Sequence, residues 1–216
     1  DIVIEADHIL TMNNENDILT GSAIAIDDGI IVDIDKKETI NKNYRAEINI
    51  AGEQRIIMPG LINGHSHAAM TLLRGIADDK KLIDWLNNYI FPLEQRFVSE
   101  EFVRVGTELA CWEMIRGGTT TFVDMYFYPD CVAKKAIDSN MRVQLACPVL
   151  DFPTIWAQSA DEYIQKTITI HDNYRNSELI SVAFGPHAPY TVSDAPLKKI
   201  GALAEELDIP IHIHIH

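Results

Sequence analysis

The 216 residues are enough for one large domain or two small ones, and a 47% hydrophobic content supplies a real core. A formal net charge of −14, with no cluster of five or more basic residues, excludes a chain that holds nucleic acid or an anionic membrane by charge. No apolar run approaches the ~20 residues of a membrane helix, and the acidic opening DIVIEADHIL lacks the pattern of a signal peptide.

Residues 1–58 predict short strands. DIVIEADHILTM and SAIAIDDGIIVDID alternate apolar and polar residues, the strand period, and Asp28-Gly29 between them is a hairpin signal. IIMPG then leads out of this β module.

From Gly60 the pattern changes. Strand-like runs at 60–65, 119–127, 142–150, 179–189 and 209–216 alternate with helix-length segments. One helix is expected after Ser99, a natural N-cap, and is stopped by Gly117-Gly118. Others are expected in DCVAKKAIDSN, in SADEYIQKTITIHDNY and after Ser193 or Asp194. Strand-helix alternation implies βαβ units and a parallel sheet, so the fold class is α/β. A doubly wound sheet and a (β/α)₈ barrel both fit. No GxGxxG or GxxxxGK[ST] follows a strand, which disfavours dinucleotide and P-loop sites. The cysteines Cys111, Cys131 and Cys147 form no CxxC pair, which fits a reduced, cytoplasmic protein with buried thiols.

The histidines carry the chemistry. On a strand, i and i+2 share a face, so His65 and His67 of NGHSH project together, and neutral imidazole suits zinc and other borderline divalent metals. Two ligands alone do not make a tetrahedral site, and a pair of hydrogen-bonded loop histidines is the other reading. GPHAPY adds His187 at the end of the fourth run. IHIHIH adds His212, His214 and His216 on one face of the fifth, with Ile211, Ile213 and Ile215 on the other, ready to pack under helices. A purely imidazole strand face is hard to explain as core. Histidines at the ends of three parallel strands point to one polar pocket, most naturally a metal site.

At MPGLINGHSHAAMTLLRGIADD, WLNNYIFPLEQRF, GGTTTFVDMYF, GPHAPYTVSD and IPIHIHIH the sequence resembles the amidohydrolase superfamily. Within it the likeness is to the 5-methylthioadenosine/S-adenosylhomocysteine deaminases and their chlorohydrolase-like relatives. The resemblance implies a TIM-type (β/α)₈ barrel, of which residues 59–216 are the first part with about five strands. It also implies a small β-sandwich module whose N-terminal part is residues 1–58. One divalent metal, zinc in most members, is implied, with His65, His67 and His214 as ligands and His212 and His216 as neighbours on the face of His214. Glu94 matches a carboxylate that binds substrate hydroxyls, His187 a substrate-contacting histidine and Trp85 an aromatic of the pocket wall.

The activity so implied is hydrolytic deamination of an adenine-type nucleoside. The alternatives are hydrolysis of another amino- or chloro-substituted heterocycle, and a non-catalytic metal-binding module or one half of a split barrel. The partner is then a small nucleoside-like molecule, with no nucleic acid and no membrane, and a homo-oligomer is allowed. The family's catalytic Glu would fall beyond His216. Five strands are about three short of eight, so the expectation is the first part of a longer chain.

Overall fold

The computed structural model describes residues 1–215, and His216 lies outside the described residues. The chain forms two compact units, Asp1–Gly60 and a second from Leu61 onward.

The first unit is one mixed sheet of five strands. These are β1 (Ile2–Leu10), β2 (Ile18–Asp27), β3 (Ile30–Lys36), β4 (Ile48–Ile50) and β5 (Ile56–Ile57). The order is β3-β2-β1-β4, with β5 also paired to β1. Asp28 and Gly29 both have positive φ (48° and 75°), the backbone that a tight two-residue hairpin turn requires. A helix that the strand pattern does not anticipate, α1 (Lys37–Asn43), lays Ile40 against Val3, Ala23 and Ala25 on one face of the sheet. Ala6, Ile9 and Ile24 form a second apolar cluster in this unit. Within residues 1–60 there is thus one sheet layer of the expected sandwich, with a helix packed on it.

The second unit is a parallel sheet wrapped by helices. Its strands are β6 (Leu61–Ser66), β7 (Thr119–Asp124), β8 (Arg142–Val149) and β9 (Ile180–Pro186), paired in sequence order. A doubly wound sheet would reverse its order at a switch point; unbroken order is the barrel pattern. The expected fifth strand is reduced to a single parallel bridge, Phe184↔Ile211. The following residues still track β9, since His212 N–H donates to Phe184 O at 2.8 Å and His214 N–H to His187 O at 3.1 Å. Two isoleucines of this run are not packed under helices as expected: Ile211 is 45% and Ile215 80% exposed, whereas Ile213 is half-buried.

The connecting helices behave as their sequences require. α2 (Leu82–Trp85) runs through a π turn at 86–90 into α3 (Phe91–Phe97), and α4 (Glu100–Arg116) follows. Ser99 caps α4 by accepting from Phe102 N–H at 3.1 Å. α5 (Pro129–Asp138), α6 (Ala160–Tyr174) and α7 (Asp194–Leu207) complete the layer. Ser159 caps α6 through Glu162 N–H, whereas the Ser193 side chain makes no capping bond to α7. Phe122, Val143, Leu145 and Phe184 of the sheet are fully buried in one core with Val132, Ala136, Ile164 and Ile200 of the helices. A 3₁₀ turn at Ala68–Leu73 directly follows His67, and α4 rests on it at Gly106. A Cβ at Gly106 would stand 2.4 Å from Ala69 O, so only glycine permits this approach. No described helix is long and apolar enough to cross a membrane.

Candidate metal centre and adjoining pocket

Parallel α/β folds gather their chemistry where the strands end. Here β6 ends at His65-Ser66-His67, β7 ends at Asp124 before Met125-Tyr126, and β9 leads into His187. His65 and His67 share a face as the strand period requires, their ring centroids 4.9 Å apart. His214 comes to them from the bridge segment, 4.8 Å from the His65 ring and 5.2 Å from the His67 ring. One nitrogen from each of the three lies within 4.8 Å of the others, and among the described residues no other group of three or more His, Cys, Asp or Glu converges in this way.

The outer nitrogens fix the inner ones. His67 Nδ1 is 2.6 Å from Met125 O and His214 Nδ1 is 2.7 Å from His187 O. A carbonyl only accepts, so both Nδ1 atoms carry the proton and both Nε2 atoms present lone pairs. This is how ligating histidines are ordinarily oriented. His65 uses a different partner. Its Nδ1 pairs with His212 Nε2 at 2.7 Å, the two rings stacked with an interplanar angle of 16°. Its Nε2 stands 3.1 Å from His214 Nε2. Two imidazole nitrogens bound at 2.0–2.1 Å to one tetrahedral ion lie roughly 3.3 Å apart. The His65–His214 pair therefore has the spacing of two ligands on one divalent cation, and the His67 nitrogen lies within 4.8 Å of both. Burial holds His67 at about 4, far below the ordinary imidazole, and also lowers His65, with the neighbouring imidazoles adding to both effects. Both shifts favour the neutral imidazole in His65 and His67, the form that ligates.

A cavity opens beside this centre, and its wall includes His67, Trp85, Glu94, Tyr126 and His187. Trp85 and Glu94, nine residues apart on one helical stretch, and the distant His187 share this wall. Glu94 is buried on α3 and its Oε1 accepts from Tyr126 Oη at 2.8 Å. Burial pushes the Glu94 carboxyl up to about 7, against the pull of that hydrogen bond. His187 Nδ1 lies 2.8 Å from Thr191 Oγ1, whose own proton goes to Ala188 O at 3.1 Å. The imidazole must therefore donate from Nδ1, which leaves Nε2 as an acceptor. An adjoining cavity of about 410 Å³ shares Glu94 and is walled by Phe91, Phe127, Leu150, Phe152 and Ile155.

The raised Glu94 carboxyl has a consequence for stability. Unfolded, it ionises near 4.5; folded, at about 7. Between these values the folded state holds more protons, so stability falls as pH rises, by at most about 3 kcal/mol for this group. Denaturant melts of wild type and Glu94→Gln at pH 4.5 and 7.5 measure this. The wild type is expected to lose stability relative to the variant over that range; a pH-independent difference would show that Glu94 titrates normally.

Sequence reading missed Tyr126, Asp124 and the role of His212. The first two sit in TTTFVDMYF, where an acid and a phenol in an otherwise apolar strand end were the available signal.

The amidohydrolase family model matches residues 56–216. The chain belongs to the amidohydrolase family. The parallel sheet and its helices are accordingly part of a TIM-type barrel. The chain is 47% identical to a 5-methylthioadenosine/S-adenosylhomocysteine deaminase of Saccharophagus degradans, over all of this chain and 48% of that one. It is also 47% identical to a 5′-deoxyadenosine deaminase of Methanocaldococcus jannaschii, over 84% of this chain and 42% of that one. Among solved structures it superposes on an adenosine deaminase from Xanthomonas campestris with bound zinc, with a TM-score of 0.96 and 40% identity, over 99% of this chain and 49% of that one. The chain spans about half the length of the curated relatives it matches.

Proposed function

We propose that this chain carries the metal-binding and nucleoside-binding part of a zinc-dependent deaminase acting on an adenine-type nucleoside such as 5-methylthioadenosine. The observation that carries the reading is the convergence of the His65, His67 and His214 nitrogens beside a cavity that also holds Glu94, Trp85 and His187. In this reading the three histidines hold one zinc ion. The ion supplies Lewis acidity, which makes water a nucleophile near neutral pH.

The chain's own residues do the rest of the positioning. Trp85, with Leu86, Ile90 and Phe91, gives the purine an apolar wall. Glu94 accepts the sugar hydroxyls, held at the right angle by Tyr126. His187 Nε2 accepts a proton-bearing group at the reacting end of the base. The apolar residues around the adjoining cavity receive a neutral 5′ substituent. Among the described residues no carboxylate joins the histidine cluster itself. The three free thiols support a reducing, cytoplasmic setting.

The test is ammonia release. Residues 1–216 are joined to the half of the Saccharophagus degradans deaminase that they do not cover, loaded with zinc and given 5-methylthioadenosine. Ammonia release at an enzyme-like rate, lost with a chelator and restored by zinc, is expected. A folded, zinc-loaded joined chain that deaminates no adenine nucleoside would overturn the reading.

A further inference from the structure

Ser66, His67 and Ala68 are held as a unit by the end of β7, where a buried acid closes the grip. Asp124 is 2% exposed at the last position of the strand. Its Oδ1 accepts Ala68 N–H at 2.5 Å and lies 3.3 Å from the Ser66 hydroxyl. The Ser66 hydroxyl also donates to Val123 O at 2.7 Å. The next residue completes the pattern: Met125 N–H donates to Ser66 O at 2.9 Å, and Met125 O takes the proton of His67 Nδ1. His67 is therefore fixed through its own ring and through the backbone on both sides of it.

A buried carboxylate is costly unless it is hydrogen-bonded. Ala68 N–H opens a 3₁₀ turn and has no partner within it, so it is the kind of orphan donor that needs an acceptor from elsewhere. The two needs are met by one contact, and it falls one residue from a histidine whose orientation decides where its lone pair points. Remove the acceptor, and the turn is free to swing, carrying His67 away from Met125 O.

We infer that Asp124 is a positioning residue of the metal centre, holding the Ser66–Ala68 turn so that the His65 and His67 nitrogens converge. This rests on the reading of the three histidines as metal ligands. Asp124 itself is not a ligand and does not touch substrate.

The experiment compares the purified wild-type protein with Asp124→Ala and Asp124→Asn. Zinc affinity is read by competition with a chromophoric chelator, and ligand geometry by the visible absorption of the Co²⁺-loaded protein. Asp124→Ala is expected to weaken zinc binding by roughly 10- to 100-fold, the usual cost of losing a group that orients a ligand, and to alter the cobalt bands. Asp124→Asn keeps an oxygen for Ala68 N–H and is expected to recover most of the affinity and the wild-type spectrum. A purely structural role would lower thermal stability but leave affinity and cobalt spectrum unchanged in the folded variant, and that result overturns the inference. An Asp124→Asn variant as weak as Asp124→Ala overturns it as well. Should the alanine variant not fold, near-wild-type zinc affinity and spectrum in Asp124→Asn support the inference, and their loss overturns it. A wild-type protein that binds no zinc overturns the metal reading itself, whereas a binding wild type with an unaffected Asp124→Ala overturns this inference alone.

Discussion

His67→Ala is expected to lower zinc affinity by roughly 10²–10³-fold, since each protein ligand of a tetrahedral zinc site worth ~10–16 kcal/mol contributes about 3 kcal/mol. The loss should fall mainly on the metal, because the His67 ring faces a cavity and meets other imidazoles and one carbonyl. Competition with a chelator measures it, with circular dichroism to verify folding. His8→Ala, at an exposed position on β1, is the control and should bind as wild type does. Equal affinity in the His67 and His8 variants would remove His67 from the ligand set.

The second large effect concerns Glu94. At pH 8, above its titration near 7, the folded side chain is a buried carboxylate held by Tyr126. A hydrogen bond from a sugar hydroxyl to such a charged group contributes about 1.5–3 kcal/mol, so Glu94→Gln is expected to weaken 5-methylthioadenosine by roughly 10- to 150-fold. The free base, which has no sugar, should bind wild type and variant alike. Titration calorimetry with the nucleoside and with the free base decides it. If both ligands weaken equally, Glu94 shapes the pocket instead of holding the sugar.

Much of this site is legible in the amino-acid pattern. The strand period alone puts His65 and His67 on one face, and the rings are 4.9 Å apart on it. Ser99 and Gly117-Gly118 bound α4 because capping is local chemistry, readable within four residues. The alternation in IHIHIH groups His212 with His214, and both do meet the His65 ring. What the pattern does not say is that they play different parts. His214 turns Nε2 toward Nε2 of His65, while His212 sits behind His65 and bonds its outer nitrogen. That division depends on which atoms of residues 147 positions apart face each other. Asp124 escapes for the same reason: an acid in an apolar strand end signals that it has some partner, but that partner, Ala68, is 56 residues away. Alternation also overstates the extent of the fifth run, because it reports which face a residue takes, not whether a neighbouring strand is there to pair with it.

The separation of the histidines along the chain also sets an order of events in the cell. His65 and His214 meet across 149 residues. A ribosome adding ~5–20 residues per second spends roughly 7–30 s between making the first and making the last. Until His214 is made, the nascent chain can contribute only the His65-His67 pair to the proposed cluster, and β7, whose end holds His67, is itself made part of the way through the interval. A two-imidazole site is weak and lets a wrong ion leave as readily as it came. On the proposed reading, binding by all three imidazoles is therefore postponed until His214 has been synthesised, and by then β6 and β7, which orient the first two, already exist.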